Sequence, residues 1–226
     1  MTTTELARHI EHSVLTPQAT ERDVEEAARV AVRWSVRALV VKPTHVPLAA
    51  RLLVDSGVKV VAVVGFPHGG QTTETKVAEL RQAIDAGAEE VDVVINIGAL
   101  RQGRVRLVLR ELRAVVDAAG RHLVKVIIEN AYLTDAQKQL ASRLADRAGA
   151  AYVKTSTGFA PTGATAADVA LMRRSVSWLV GIKAAGGIQS YADALALLEA
   201  GADLLGTSST EAILRDAARE AAREAA

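Results

Sequence analysis

The sequence predicts an α/β fold, a (β/α)8 TIM barrel with a short N-terminal segment before the first strand. Short runs rich in β-branched residues alternate with longer segments rich in Ala, Leu, Glu and Arg, and eight such pairs span the 226 residues. No linker, low-complexity stretch or Pro/Ser-rich boundary interrupts them. Eight strand–helix units in this length are typical of one compact barrel, so we expect a single domain over residues 1–226.

The predicted strands follow the β-branched runs. They are Ile10–Val14, Arg37–Val41, Val58–Val63, Glu90–Ile95, Leu123–Ile128, Ala151–Lys154, Leu179–Lys183 and Asp203–Gly206. Helices are predicted near 20–34, 45–55, 72–86, 99–119, 134–148, 165–175 and 190–200, with a last one after Ser208. Hydroxyl side chains suited to capping a first turn stand at Thr20, Thr72, Thr134, Thr165 and Ser190.

The alternative to a closed barrel is an open, doubly wound parallel sheet. That fold has a Gly-rich turn of the form GxGxxG after its first strand, where backbone N–H groups bind a pyrophosphate. The residues at this point read HSVLTP over 12–17 and contain no glycine. The barrel is therefore the favoured arrangement.

Composition excludes several classes of site and partner. The net charge of +1 gives no reason to expect a nucleic-acid or anionic-membrane partner. The absence of cysteine rules out disulfides, thiolate metal sites and a cysteine nucleophile. No apolar run approaches the roughly 20 residues of a membrane helix, and the opening MTTTELARHIEHS does not have the pattern of a signal peptide. We therefore expect a cytoplasmic protein with no membrane or nucleic-acid partner.

Side-chain alternation along the predicted strands places charged residues inside the barrel. The outer face of a barrel strand packs under helices and is normally apolar, so a charged residue that alternates with apolar ones is expected to face the lumen. By this reasoning the interior contains Asp92, Lys125, Lys154 and Lys183. Lysine is rarely buried without an ion-pair partner or a function. For Lys125, a structural ion pair with Asp92 or Glu129 and a functional role are both open.

Lys154 and Lys183 have the positions expected of catalytic lysines. Both end their predicted strands, at the face where barrel enzymes have their active sites, and the two strands are adjacent, about 5 Å apart. Burial and a neighbouring cation both lower a lysine pKa from its usual value of about 10.4. A neutral amine can attack a carbonyl to form a Schiff base, and Asp92 is suited to relaying protons. Because the repulsion between two amines is symmetric, the residues alone do not say which lysine attacks.

Histidine spacing and glycine-rich loops bear on cofactors and substrate. The five histidines show neither HxH nor HxxxH spacing, so neither a metal nor another cofactor is predicted. Small residues follow the last three predicted strands, and loops at this end of a barrel often bind phosphate through backbone N–H groups. We therefore expect a phosphorylated substrate. The residues predicted to bind it are Thr157, Gly158, Gly186, Gly187, Ser208 and Ser209.

Seven segments of the sequence resemble those of the deoxyribose-phosphate aldolase family. They are VVKPTHV (40–46), VVGFPHGGQTTETK (63–76), EVDVVINIGAL (90–100), VKVIIE (124–129), VKTSTGF (153–159), GIKAAGGI (181–188) and GTSS (206–209). The resemblance runs in order from about residue 10 to 212. The lysine in VKTSTG together with the lysine in GIKAAGG is highly specific to that family.

The resemblance implies a metal-independent (class I) aldolase of deoxyribonucleotide catabolism, a homo-oligomer (dimer or tetramer). Its substrates would be a small phosphorylated sugar, 2-deoxy-D-ribose 5-phosphate, and the short-chain aldehydes into which it splits reversibly, D-glyceraldehyde 3-phosphate and acetaldehyde. By resemblance, Lys154 forms the Schiff base, Lys183 lowers its pKa, Asp92 relays protons and Lys125 supports it. An alternative is another lysine-dependent barrel aldolase that acts on a phosphorylated ketose or keto acid. A non-catalytic sugar-phosphate-binding barrel is disfavoured because the catalytic positions are intact.

The sequence departs from the family pattern at several positions. Glu11 stands where an aspartate is common, which leaves the role of that position open. Phe159 stands where some members have a phosphate-facing lysine, and Val40 and Lys42 stand where a cysteine and an Asn or Tyr are frequent. The Ala-rich C-terminal segment has no counterpart of the tyrosine found in longer members. We expect these departures to change rates and affinities, not the core chemistry.

Overall fold

The computed structural model describes residues 1–224, in which eight parallel strands close into a barrel. Each strand pairs with the next along the chain and the first pairs with the last, so the predicted (β/α)8 fold is confirmed. The strands are β1 (Ile10–Val14), β2 (Ala38–Val41), β3 (Lys59–Val64), β4 (Glu90–Val94), β5 (Leu123–Ile127), β6 (Tyr152–Lys154), β7 (Gly181–Ala185) and β8 (Leu204–Thr207).

Helices alternate with the strands, and one more helix precedes β1. They are α1 (Thr3–His9), α2 (Glu21–Arg33), α3 (Val46–Leu52), α4 (Thr73–Asp85), α5 (Ile97–Arg101), α6 (Val105–Ala119), α7 (Asp135–Ala148), α8 (Ala166–Arg173), α9 (Tyr191–Glu199) and α10 (Thr210–Glu224). The predicted N-terminal segment forms α1, which packs against α10. Within residues 1–224, no helix combines the length and the apolar character needed to cross a membrane.

The predicted helix caps are all present. At each of the five positions the side-chain oxygen accepts a hydrogen bond from the backbone N–H three residues later, which satisfies a donor that the first turn leaves free. At the other end of α7, Gly149 adopts a left-handed φ of 86°, which allows the last turn to close. These local signals explain why most predicted boundaries lie within a few residues of the observed ones.

The helix predicted over 99–119 is wrong in one respect, because it consists of two helices, α5 and α6. The chain turns at Gly103, where φ is 71°. The N–H of Arg104 donates to the carbonyl of Ala99 at 2.9 Å, five residues back, and this bond ends the first helix.

The strand predicted from Leu179 begins two residues later. The N–H of Val180 donates to the carbonyl of Ser177 at 3.2 Å in a turn, and Leu179 is exposed. The strand β7 then continues to Ala185, so Lys183 lies in the middle of its strand and not at its end. The prediction followed the apolar run, but two of its residues belong to the turn.

The lumen of the barrel has an apolar half and a charged half. Strands β2 and β3 contribute a small apolar cluster formed by Ala38, Val40, Val61 and Val63. The alternate residues of the same strands pack outward in the large core between the barrel and the helices. Buried charged residues lie instead on β1, β4, β5, β6 and β7. This charged half contains the candidate site.

Candidate active site

The structure brings together the four charged residues predicted to face the lumen. Lys154 and Lys183 are register partners on the adjacent strands β6 and β7. Asp92 and Lys125 are likewise partners on β4 and β5. All four are buried, and the most accessible of them, Lys154, is only 3% exposed. Lys183 thus lies level with Lys154 although its strand continues further.

Asp92 is the common partner of the three lysines. Its carboxylate lies 2.8 Å from Nζ of Lys154, 2.6 Å from Nζ of Lys183 and 3.1 Å from Nζ of Lys125. Burial alone would raise the pKa of Asp92, but the attraction of Lys125, Lys154 and Lys183 outweighs it and holds that pKa well below its ordinary value. Asp92 is therefore a carboxylate in contact with both candidate amines.

A second layer of charges lies deeper in the barrel. Nζ of Lys125 is 2.7 Å from Glu90 and 3.3 Å from Glu11. Arg37 closes this layer with hydrogen bonds of 2.7 and 2.9 Å to Glu90 and a further one to Glu11. Of the alternatives left open for Lys125, the ion pair with Asp92 is present, and the other carboxylate partners of Lys125 are Glu11 and Glu90.

Glu11 also forms an ion pair with Lys183. Sequence reasoning left the role of Glu11 open and did not assign Arg37 or Glu90 to the site. The alternation that placed Asp92 in the lumen applies equally to Glu90, two residues earlier on the same strand, and could have identified it.

The two candidate amines have different numbers of carboxylate partners. Lys183 is paired with both Glu11 and Asp92, whereas Lys154 is paired with Asp92 alone. Burial lowers the pKa of Lys154 to about 8; its pair with Asp92 opposes this effect and the repulsion of Lys183 adds to it. The geometry therefore distinguishes two lysines that the sequence could not.

Both amines open into a cavity of about 420 Å³ at the carboxyl end of the strands. All six residues predicted to bind phosphate line the same cavity, on the loops after β6, β7 and β8. Among the described residues that line it, only Lys154 and Lys183 are cationic, and both lie at its floor. A phosphate at the mouth would therefore be bound by backbone N–H groups, by Ser208 and Ser209, and by the N-terminal end of α10, which begins at Thr210.

Thr157 lines the cavity, but its hydrogen-bond donors are already engaged. Its N–H and its hydroxyl both donate to the carboxylate of Glu129. Its hydroxyl oxygen also accepts from the N–H of Phe159 at 3.1 Å. Thr157 can therefore offer a substrate an acceptor more readily than a donor.

No metal-binding group is evident in the part of the chain that the structure describes. No three His, Asp or Glu side chains there converge in a way that could hold an ion. The lumen carboxylates face lysines and an arginine instead.

Comparison with known proteins identifies the family. A family model described as DeoC/LacD family aldolase matches residues 7–217. The chain belongs to the DeoC/LacD aldolase family. Within the family it is 51% identical over 212 residues to a deoxyribose-phosphate aldolase of Streptococcus suis (strain 98HAH33). The aligned region covers 94% of this chain and 96% of that protein. A deoxyribose-phosphate aldolase of Streptococcus gordonii is 49% identical over 210 residues, 93% of this chain and 96% of that protein.

The fold of this DeoC/LacD aldolase is also that of solved relatives. A deoxyribose phosphate aldolase from Aeropyrum pernix, described as having a unique tetrameric structure, superposes with a TM-score of 0.89 at 35% identity. The match covers 95% of this chain and 91% of that one. The family resemblance found in the sequence motifs is therefore confirmed.

Proposed function

We propose that this protein is a deoxyribose-phosphate aldolase that cleaves 2-deoxy-D-ribose 5-phosphate reversibly through a Schiff base on Lys154. The observation that carries the proposal is a buried lysine with a pKa of about 8 that opens into a cavity lined, at its mouth, by glycine- and serine-rich loops. An amine with this pKa is about one-tenth neutral at pH 7, against less than one in a thousand for a free lysine. The family and its deoxyribose-phosphate aldolase relatives support the substrate.

The chemistry follows from that neutral amine. Nζ of Lys154 adds to the C1 aldehyde of the open-chain sugar, and loss of water gives a protonated iminium. The C3 hydroxyl gives up its proton and the C2–C3 bond breaks, so that glyceraldehyde 3-phosphate leaves and the bonding electron pair moves into the iminium to give an enamine. Protonation of C2 and hydrolysis then release acetaldehyde and restore the amine.

The proton transfers are assigned to the groups around Lys154. Asp92 contacts both amines at 2.6 and 2.8 Å and is suited to relaying protons between them, directly or through water. Lys183 repels the protonated form of Lys154 and so helps to maintain its neutral form. Lys125 supports Asp92 from below through their ion pair.

Borohydride trapping tests the proposal directly. Incubation with acetaldehyde and borohydride should add a two-carbon unit to the peptide that contains Lys154, and Lys154→Met should abolish both this adduct and the cleavage of deoxyribose 5-phosphate. Lys76 is a control within the same chain, because it is also fully buried and burial lowers its pKa, yet it does not line the cavity. An adduct on Lys76, or no adduct on Lys154, would overturn the assignment.

Two further measurements test the substrate and the class. Release of acetaldehyde from deoxyribose 5-phosphate distinguishes this activity from that of an aldolase for a phosphorylated ketose or keto acid. We also propose that the reaction needs no metal, so activity should survive EDTA; loss of activity that added metal restores would contradict this.

A homo-oligomer is proposed as well, supported by the tetrameric relative from Aeropyrum pernix. Light scattering of the purified protein measures its oligomeric state. The single-domain organisation, the cytoplasmic location, the role in deoxyribonucleotide catabolism and the absence of a nucleic-acid partner stay predictions.

A further inference from the structure

Glu129 has a strained backbone at the point where the chain leaves β5. Its φ of 56° and ψ of 72° lie in the left-handed region, which residues other than glycine rarely adopt. The N–H of Ile128 donates to the carbonyl of Lys154 at 3.0 Å, and the N–H of Asn130 donates to that of Thr155 at 2.9 Å. Between these two hydrogen bonds the chain advances two residues after β5 but only one residue at the end of β6, so the pairing contains a bulge with Glu129 as the extra residue. Bulges near active sites often redirect a side chain.

The side chain of Glu129 is directed to the loop that follows Lys154. Glu129 is only 2% exposed, and its carboxylate accepts hydrogen bonds from the N–H of Thr157, at 3.3 and 3.2 Å, and from the hydroxyl of Thr157. Burial raises the pKa of Glu129, while the bonds from Thr157 and the charge of Lys154 oppose that rise. The strained backbone and the buried carboxylate of Glu129 together hold Thr157, which lies three positions after Lys154.

Thr157 in turn organises the mouth of the cavity. Its hydroxyl oxygen accepts the N–H of Phe159, and Gly158 between them has a left-handed φ of 89°. Thr157, Gly158 and Phe159 all line the cavity, whereas Glu129 does not. Glu129 consequently makes no direct contact with a substrate in the cavity; it acts through this loop, and its charge also reaches Lys154.

We propose that Glu129 is a positioning residue that fixes the loop 155–159 and turns Thr157 into a hydrogen-bond acceptor for a hydroxyl group of the substrate. The hydroxyl hydrogen of Thr157 goes to Glu129 and one lone pair of its oxygen accepts the N–H of Phe159, which leaves one lone pair for a substrate hydroxyl. The ligand that suits it is a hydroxylated aldehyde, not a simple one. The catalytic consequence rests on the proposed aldolase function; the effect on the loop does not.

The test compares two variants of Glu129 with one control. Glu129→Gly removes the carboxylate but accepts the left-handed backbone without strain, and Glu129→Gln keeps one acceptor oxygen. Asp55→Gly is the matched control, because Asp55 also has a left-handed φ, 57°, but is exposed in the loop between α3 and β3 and does not line the cavity. All are compared below their unfolding temperatures.

Hydrogen exchange and kinetics should both respond. Backbone deuterium uptake over 155–163 should increase in Glu129→Gly, less in Glu129→Gln and not in Asp55→Gly. The value of kcat/KM for deoxyribose 5-phosphate should fall by about 10- to 100-fold in Glu129→Gly, mainly through KM, and less in Glu129→Gln. Trapping of acetaldehyde on Lys154 should persist in both, because acetaldehyde has no hydroxyl group for Thr157 to bind.

Unchanged exchange over 155–163 in Glu129→Gly would overturn the proposal, as would an equal increase in Asp55→Gly. If Glu129→Gly does not fold, Glu129→Gln decides by the same two measurements. Should the wild-type protein fail to cleave deoxyribose 5-phosphate, the proposed function falls, but the exchange experiment still tests the positioning role.

Discussion

Replacing Lys154 by methionine is expected to stabilise the folded protein at neutral pH while abolishing its activity. Burial lowers the pKa of Lys154 from an ordinary 10.5 to about 8, and each pKa unit corresponds to about 1.4 kcal/mol. The charged form of this lysine therefore costs the folded state about 3 kcal/mol. Methionine has a similar length and no charge. It also leaves Asp92 paired with Lys125 and Lys183.

The pH dependence of this gain follows from the sign of the pKa shift. Between about pH 8 and pH 10.5 the folded protein binds fewer protons at Lys154 than the unfolded chain does, so the free energy of unfolding of the wild type rises with pH through this group. Below pH 8 Lys154 is charged in both states, so the full free-energy cost of burying its charge is present. The advantage of Lys154→Met should thus be about 3 kcal/mol at pH 7 and less than about 1 kcal/mol at pH 10.

Urea unfolding of both proteins at several pH values between 7 and 10 measures this difference. Lys76→Met is the contrasting control, because Lys76 is equally buried but is paired at 2.7 Å with Glu111, and its removal leaves that carboxylate buried. This control should lose about 3 to 5 kcal/mol. A Lys154→Met protein less stable than the wild type at pH 7, or a difference that does not change with pH, would refute the reasoning.

Three further predictions concern activity and labelling. If Lys154 is the nucleophile as proposed, only its neutral amine can attack, so kcat/KM should rise about tenfold per pH unit up to about pH 8 and then level off. A rise in kcat/KM centred near pH 6 would contradict this. In Gly163→Ala, the added Cβ would lie 2.1 Å from the carbonyl oxygen of Gly186, so the loop after β7 must shift. Its KM for deoxyribose 5-phosphate should rise about 10- to 100-fold, with acetaldehyde trapping retained, and steady-state kinetics measure the change. In Glu11→Gln, peptide mapping after borohydride should find part of the adduct on Lys183, which then keeps only Asp92; labelling of Lys154 alone would argue against a role for Glu11.

The barrel and its charged lumen could be predicted because they depend on local and periodic signals. Alternation of period two placed Asp92, Lys125, Lys154 and Lys183 on the inner face, and strand order made Lys154 and Lys183 neighbours. These inferences need only the identity of each strand and its neighbours. A shift of two residues at the start of β7 did not affect them, because it preserves the face on which Lys183 lies.

The features that the sequence did not predict depend on contacts between distant segments. Glu11 lies on β1, 172 residues from Lys183, and its partner could be known only once the barrel closes. Arg37 precedes β2, where nothing in the sequence says that it reaches Glu90. The bulge at Glu129 has no glycine to announce it, since a glutamate occupies the left-handed position. Each depends on tertiary packing that local propensity does not specify.

The distribution of carboxylates explains why Lys154, and not Lys183, is the amine that we propose to react. Within residues 1–224, the buried lumen cluster contains four basic side chains, of Arg37 and three lysines, against three carboxylates, of Glu11, Glu90 and Asp92. With all groups ionised this cluster has a net charge of +1, and loss of one proton makes it neutral. Burial in a medium of low dielectric constant favours the neutral state. That proton leaves most easily from the amine with the fewest carboxylates. Lys125 has three within 3.3 Å and Lys183 has two, while Lys154 has only Asp92, which it shares with both. The symmetry between the two candidate amines is therefore broken by Glu11, which forms an ion pair with Lys183 and not with Lys154.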